Sequence, residues 1–417
     1  MDSLEHDESQ LRAIDMILRA RVGIVTGGPG TGKTTCLRTA LTQLPPNCHV
    51  RLAAPTGKAA RRMAEATHDY VKEHPTAAPC TIHRLLEFKP NIGFTRSEHR
   101  PVGADLIVVD EASMIDINLA AELFSAVGRA RLVMMGDVNQ LPPVGPGQPF
   151  ADVIRSGVVP VTQLTKLHRQ AAESWVARSA PRVLAGERID LRPRHDFRFV
   201  PVALSSEIMP TLKRIIAEEG ASVETQLLIP QRTGLAGTYA ANAQLQDVFN
   251  NEPPRQGDAY LPRQHYNIRV GDRVIQTAND YGIEVFNGEV GELVEADANG
   301  VTVLYPDGDA LREVRYTAEQ SDNLELAYAL TVHRAQGSEF PTVVCVVHST
   351  HTRMLTRRLF YTAMTRTRGR LVIVGDEVGI ERAIANTAEV QRRTTLVERL
   401  HGTLEPVTDD SQHLEDN

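Results

Sequence analysis

The chain has 417 residues, enough for about three domains at roughly 150 residues each. Its 42% hydrophobic and 23% charged residues are an ordinary globular balance, and 45 Lys plus Arg against 52 Asp plus Glu leave a net charge of −7, which excludes a protein that coats nucleic acid by bulk positive charge but not one with a local basic groove. No apolar run reaches the ~18 residues that span a bilayer, and the cysteines at 36, 48, 80 and 345 form no CxxC pair, which argues against a zinc, iron–sulfur or disulfide framework and fits a reducing cytosol.

The N-terminus, MDSLEHDESQ, is acidic and polar, unlike a signal or transit peptide. VGIVTG (22–27) reads as a buried strand, followed by a Gly-rich turn and a helix from Lys33. RLAAPT (51–56), DLIVVDEAS (105–113) and ARLVMMGD (130–137) read as further strands with helical patterns between them. Apolar runs of this length separated by helices predict a parallel sheet covered on both faces, with the site at the polar strand ends. Residues 88–104, with two Pro, two Gly and a central Asn-Ile-Gly-Phe, read as a short inserted hairpin. From about 256 to 325 the helical pattern is lost. IRVGDRVIQTAND, EVFNGEVGELVEAD and GVTVLYPDGDALREV read as strands joined by NG and DG turns, a small all-β module. TQLLIPQR before it and TVVCVVHS and RLVIVGD after it restore the α/β pattern, so a second α/β domain is interrupted by a β insertion. The acidic stretch 401–417 reads as a frayed tail.

Gly27-Gly28-Pro29-Gly30-Thr31-Gly32-Lys33-Thr34 fits G-x-x-x-x-G-K-[ST] between a predicted strand and a predicted helix, the context of a phosphate-binding loop. Its glycines turn backbone N–H groups toward phosphate oxygens, and the helix start adds favourable partial charge. Lys33 can reach the β- and γ-phosphates, and Thr34 can ligate Mg²⁺. Asp110 and Glu111 end an apolar strand. Asp110 can hold Mg²⁺ and Glu111 can polarise the attacking water. The chain is therefore expected to bind and hydrolyse a nucleoside triphosphate.

The motif order GGPGTGKTT (27–35), APTGKAA (54–60), TIHRLL (81–86), VVDEASMID (108–116), GDVNQLPPVG (136–145), LHRQ (167–170), TVHRAQGSEF (331–340) and YTAMTRTR (361–368) resembles that of superfamily 1 helicases, in their RecD-like branch that moves 5′→3′ along DNA. The resemblance runs from near residue 10 to near 376. It implies two RecA-like P-loop domains in tandem: 1–190, and 191–255 with 326–400. The insertion 256–325 would then be an SH3-like barrel. It also implies a DNA helicase using ATP and Mg²⁺, acting on single-stranded and tailed duplex DNA.

Several residue roles come only with that resemblance. Gln10 is similar to an adenine-reading glutamine, a surface residue otherwise. With the loop residues Gly28 to Thr34, Thr35 completes the nucleotide contacts, and Glu339 in QGSEF resembles a ribose-contacting acid, beside a Gly337 that would allow close backbone approach. Gln140 resembles a γ-phosphate sensor. Arg169 and Arg366 resemble two arginine fingers, one from each domain, that would neutralise transition-state charge when the cleft closes. Thr56, Lys58, Thr81, His83 and Arg84 in the first domain, with Thr331, His333 and Arg334 in the second, correspond to the family's phosphate contacts, hydroxyls and short cations that grip a backbone without reading bases. Arg61 and Arg62 read as a solvated helix face. Tyr281 either stacks on a base or packs in the barrel. Phe94, near the tip of 88–104 and beside Arg96, is either a surface that separates strands or part of a plain loop. Two other readings stay open: a motor subunit active only within a recombination or repair complex, and an RNA helicase of the same superfamily. A cytoplasmic monomer without membrane contact is expected.

Overall fold

The computed structural model describes residues 6–89, 91–166, 174–220, 224–251, 260–280, 282–307, 310–388, 392 and 394–403. β1 (Val22–Gly27), β2 (Val50–Ala54), β3 (Cys80–Thr81), β4 (Leu106–Val109), β5 (Arg131–Gly136) and β6 (Val161–Leu164) form one sheet in the order β3-β2-β4-β5-β1-β6, with every neighbouring pair parallel. Successive strand residues point to opposite faces. Ile24, Ile107, Val109, Leu132 and Met134 enter one core, and Val25, Leu106, Val108, Val133 and Met135 enter the other. Helices α1 (Glu8–Arg19), α2 (Lys33–Thr42) and α3 (Gly57–Ala66) contribute to the second of these, for example through Ile17, Leu37 and Met63.

The second α/β domain begins with β7 (Phe197–Pro201) and β8 (Thr225–Ile229). The chain then leaves through a small hairpin of β9 (Leu261–Pro262) and β10 (Asn267–Ile268). It builds an antiparallel sheet from β11 (Arg273–Gln276), β12 (Val290–Asp297), β13 (Gly300–Asp307), β14 (Ala310–Tyr316) and β15 (Leu324–Leu326), ordered β14-β13-β12-β11-β15. It returns as β16 (Ala329–Thr331), β17 (Phe340–Val347) and β18 (Thr367–Gly375), completing a parallel sheet ordered β16-β8-β17-β18-β7. Two-sided burial recurs: Val343, Cys345 and Ile373 face one core, Val344, Val346 and Val372 the other. The inserted module has its own core around Leu293, Val303, Tyr305 and Tyr316, with the two tyrosine hydroxyls 2.6 Å apart.

Three placements differ from the sequence expectations. The helix Trp175–Ala185, expected in the first domain, packs on the second: Trp175 stacks on Phe197 at 3.5 Å, its backbone N–H donates to Asp196, and Val176, Ala180 and Val183 join the second domain's core. Among the described residues of 88–104 there are no paired strands beyond two isolated bridges, Lys89 with Gly93 and Ser97 with Arg100, because each turn closes within a few residues. Finally, 392–403 returns to the first domain, where Leu396 and Leu400 pack on its core, Arg392 donates to Gly145 and Gly147, and Thr394 donates to Asp152. No helix among the described residues is long and apolar enough to cross a membrane, and all four cysteines are free, with burial pushing the Cys36 thiol up to about 11.

Candidate functional site

The loop between β1 and α2 has the shape its glycines predict. Gly30 (φ 70°) and Gly32 (φ 88°) are left-handed, which costs a residue without a β-carbon nothing. Gly32 is the N-cap of α2, so Lys33, Thr34 and Thr35 occupy its first turn, where unpaired N–H groups favour an anion. Lys33 Nζ donates to the carbonyls of Gly27 (2.6 Å) and Gly28 (3.2 Å), and Thr31 Oγ1 donates to Gly28 O at 2.8 Å, holding the loop closed between Gly28, Pro29 and Thr31. Gln10 is fully buried against this loop. Its Nε2 donates to Thr31 O at 3.2 Å, while its Oε1 accepts from the Asp7 N–H in a capping box. It is therefore not a surface residue.

Asp110 lies at the end of β4, where burial first, and then the neighbouring Glu111 carboxylate, push its pKa up to about 6. A carboxylate so placed gains from a divalent cation, and Mg²⁺ is commonly held by one or two carboxylates together with substrate phosphates. With Lys33 among the charges acting on Asp110 and Thr34 on the adjoining turn, the donor set fits that ion. Glu111 adopts φ 51°, ψ 35°, a left-handed conformation that costs a non-glycine residue of order 1–3 kcal/mol and is typical of functional positions.

The second domain closes over this end of the first sheet. Tyr361 in the helix Arg357–Met364 donates to Asp137 just beyond β5, and a β-carbon on Gly28 would lie 3.0 Å from the same hydroxyl. Leu141 N–H donates to Thr362 Oγ1 at 2.9 Å, and Gln336 Nε2 donates to Leu141 O at 3.0 Å. Gln140 is buried between these contacts. Its Nε2 lies 3.4 Å from Asp137 Oδ2, and its Oε1 has no hydrogen-bond partner among the described residues. Arg366 is 2% exposed and donates to Thr362 O, Ser338 O and Thr365 Oγ1, all within its own domain. Arg169 lies outside the described residues, as does Tyr281.

A cleft of about 650 Å³ runs between both α/β domains and the lip of the β module. Thr56 and Lys58 line it from the first domain, with His83 beside them; Thr331, His333 and Arg334 line it from the second, and Thr277 and Asn287 from the module. Lys58 lies 4.8 Å from the centroid of the Phe340 ring. Burial, followed by repulsion from Arg62, Arg368 and Arg366, lowers its pKa to about 8. Thr56 caps α3 by accepting the Ala59 N–H, and Gly337 (φ 71°) comes so close that a β-carbon there would sit 3.2 Å from Thr56 Oγ1.

Other expectations need correction. Thr81 is buried and caps the short helix Ile82–Leu85, and exposed Arg84 does not line the cleft, because that turn presents only His83 to it. Burial, the largest influence on each, lowers the pKa of His83 and of His333 below the ordinary histidine value. Arg334 is ion-paired with Glu325, which also pairs with Arg232, so its charge is already partly spent. Phe94 is not at the tip of 88–104. It packs half-buried against His83 (5.4 Å) and Phe88 (5.0 Å), Glu87 pairs with Arg96, and at the turn Ile92 is an exposed hydrophobic residue. Arg61 and Arg62 do not form a solvated face. Arg61 donates to Pro306 O and lies 3.6 Å from Glu289 of the β module, and Arg62 lies between Glu111 and Glu339. The one sequence sign of this was that both arginines follow the Thr56–Lys58 motif by a single helical turn.

Comparison with known proteins agrees with this architecture. Residues 10–146 match the family described as AAA domain, 241–305 the ATP-dependent RecD-like DNA helicase SH3 domain, and 326–374 the UvrD-like helicase C-terminal domain. The chain is 38% identical over 401 residues to the ATP-dependent RecD2 DNA helicase of Deinococcus radiodurans, covering 94% of this chain but only 52% of that one, so it spans about half the length of that relative. It is 33% identical over 433 residues to the RecBCD enzyme subunit RecD of Mycolicibacterium smegmatis, covering 94% of this chain and 75% of the relative. Among solved structures, Pif1 helicase from Bacteroides in complex with ADP-AlF3 and ssDNA superposes with a TM-score of 0.53 at 19% identity, covering 93% of this chain and 95% of that one, a likeness of fold.

Proposed function

Because the chain belongs to the RecD-like family of superfamily 1 helicases, we propose that it is an ATP-driven motor that moves 5′→3′ on single-stranded DNA and unwinds the duplex ahead of it. The observation that carries this reading is the shared cleft: strand-end residues of both α/β domains, Thr56 and Lys58 from one and Thr331 and His333 from the other, line one channel. The P-loop approaches the second domain where Gly28 faces the Tyr361 hydroxyl, and Glu111 is linked to the second domain's Glu339 through Arg62. A strand held by both domains is gripped alternately as the domains close and reopen.

In the hydrolytic step a water oxygen bonds to the γ-phosphorus while the bond from that phosphorus to the β,γ-bridging oxygen breaks. The water proton passes to Glu111, and ADP leaves carrying the bridging oxygen. The P-loop N–H groups and Lys33 bind the phosphates. Mg²⁺ held by Thr34 and Asp110 would supply charge neutralisation across the β- and γ-phosphates. Gln10 reads the base, Thr35 completes the phosphate contacts, and Glu339 takes the ribose. Arg366 and Arg169 neutralise the charge that develops on the transferred group, and Gln140, with its free buried acceptor, responds to the loss of phosphate. Among the described residues Arg366 donates only within its own domain, so its use as a finger requires closure to redirect it. The exposed turn around Ile92 is the surface that parts the strands. Recombination or repair proteins are candidate partners, and the resemblance to RecD subunits over 75% of their length favours a second reading in which the motor works within such an assembly.

The test is ATP turnover and strand separation by the purified chain, on duplexes with a 5′ or a 3′ single-stranded tail, with Lys33→Ala alongside. Unwinding of the 5′-tailed substrate alone supports the polarity, and unwinding from 3′ tails refutes it. DNA-stimulated turnover without unwinding moves the balance to the partner-dependent motor. Matched RNA oligomers that stimulate better than DNA would make it an RNA motor. Full turnover in Lys33→Ala would refute the phosphate site.

A further inference from the structure

Helix α3 carries two cations one turn apart, and they face different sites. Lys58, in its first turn, lines the cleft. Arg62, four residues on, is at the junction of the two α/β domains. Its Nη2 lies 2.8 Å from Glu339 Oε1 of the second domain, and its Nη1 lies 3.7 Å from Glu111 Oε1 of the first. The same Nη1 reaches the Gly337 carbonyl at 3.5 Å. The Glu111 side chain is 15% exposed and that of Glu339 25%, so the ion pairs are only partly screened by solvent.

Two consequences follow from elementary geometry. A carboxylate paired with a guanidinium is held in one place, and the lone pairs turned toward the cation are not offered to water. Residues four apart on a helix share a face and move together, because the intervening turn is held by backbone hydrogen bonds. The first turn of α3 is also where a nucleic-acid phosphate would dock, on Lys58 and on the N–H groups beyond Thr56. That phosphate lies within reach of a helix whose next turn restrains the general base.

We propose that Arg62 is a positioning residue that reports occupancy of the nucleic-acid cleft to Glu111. In the arrangement described here it ties Glu111 to the second domain through Glu339. A phosphate engaging the first turn of α3 shifts the helix along its axis, draws the guanidinium away from Glu111, and frees the carboxylate to orient the attacking water. This rests on the functional reading above, in which Glu111 activates water and the cleft holds a DNA strand. It adds that the ATPase is restrained without DNA, and that one side chain imposes the restraint.

The experiment is steady-state ATP turnover of the full chain, with and without saturating oligo-dT, for the wild type, Arg62→Met and Arg62→Lys, with oligonucleotide affinity measured by fluorescence anisotropy. The wild type is expected to be stimulated at least tenfold (~1.4 kcal/mol of barrier). In Arg62→Met the basal kcat rises severalfold and the stimulation ratio falls toward one. Arg62→Lys, which keeps the charge but has a single ammonium arm, falls between. Loss of packing would instead lower both rates, so a raised basal rate distinguishes positioning from damage. A wild-type ratio in Arg62→Met, or equal loss of both rates, overturns the inference. If Arg62→Met does not fold, Arg62→Lys decides alone: a raised basal rate supports the inference and a wild-type ratio overturns it. A wild type that hydrolyses ATP without any response to nucleic acid overturns the functional reading, and this inference with it. A stimulated wild type with an equally stimulated variant overturns the inference only.

Discussion

The Tyr361 hydroxyl, from the second α/β domain, donates to the buried Asp137 Oδ2 of the first at 2.7 Å. Burial, with the Asp137 carboxylate next to it, pushes the phenol well above its ordinary pKa, so it stays a donor throughout the working range. Tyr361→Phe removes the donor and leaves Asp137 Oδ2 with the more distant Gln140 amide. Leaving a buried charge short of a partner costs about 1–3 kcal/mol. Because this bond spans the interface, the cost falls on every arrangement in which the two domains meet here. DNA-stimulated turnover is expected to drop by about tenfold, equivalent to ~1.4 kcal/mol. Unchanged turnover in Tyr361→Phe would show that the contact does not help to close the cleft.

If the cleft holds DNA as proposed, Lys58 gives that binding a pH dependence of definite sign. Its pKa is lowered to about 8, first by burial and then by neighbouring arginines, and a bound phosphate favours the protonated form. As pH rises through 8 the free protein loses the proton that the complex retains, so affinity for oligo-dT falls. By pH 9 the loss should approach about tenfold, one proton per unit of pH. Lys58→Arg keeps its charge and should be flat over this range. Anisotropy titrations at fixed salt test it, and equal pH slopes in the two proteins would rule Lys58 out as the titrating group.

Gly57 is where α3 meets the β module. A β-carbon there would sit 2.8 Å from Phe286 Cδ2 and 3.0 Å from Glu289 Oε1. Gly57→Val should push the module off α3 and weaken binding to single-stranded DNA severalfold. Nucleotide affinity should change far less, because the P-loop lies between β1 and α2 while Gly57 begins α3. Parallel titrations with oligo-dT and a fluorescent nucleotide separate the two effects, and equal losses in both would argue for general unfolding.

The aromatic trio and the turn above it make opposite predictions. Phe94 packs half-buried on the first domain's core, so Phe94→Ala should destabilise it by about 2–3 kcal/mol, less than the ~3–5 of a fully buried phenylalanine. Ile92 is 71% exposed, so Ile92→Asp should leave stability and turnover on single strands alone while slowing separation of a tailed duplex. Unwinding at the wild-type rate in Ile92→Asp would remove the turn from the unwinding path.

What local chemistry dictates was legible in advance. The P-loop glycines, the four apolar strands that carry the first sheet and the carboxylates at the end of β4 lie where their spacing predicts, because backbone conformation and two-sided burial leave few alternatives. What depends on which element packs against which was not. The apolar face of 175–185 names no partner in the sequence, and its stack on Phe197, its bond to Asp196 and its core contacts assign it to the second sheet. Arg62 looks like any basic helix residue until the fold brings Glu111 and Glu339, 228 positions apart in sequence, to its two ends. Phe94 seemed to be at a tip because a turn was visible, but sequence alone does not say which side chain a turn folds inward.

With 392–403 back on the first domain, the described residues place the chain on the first α/β domain at Leu164, on the second from Trp175 to Asn386, and on the first again at Arg392. A body hung from one tether can swivel about any direction. One hung from two can turn freely only about the line joining them. Two links therefore remove directions of relative rotation that a single link would leave free, so any motion that closes the proposed cleft has to respect both.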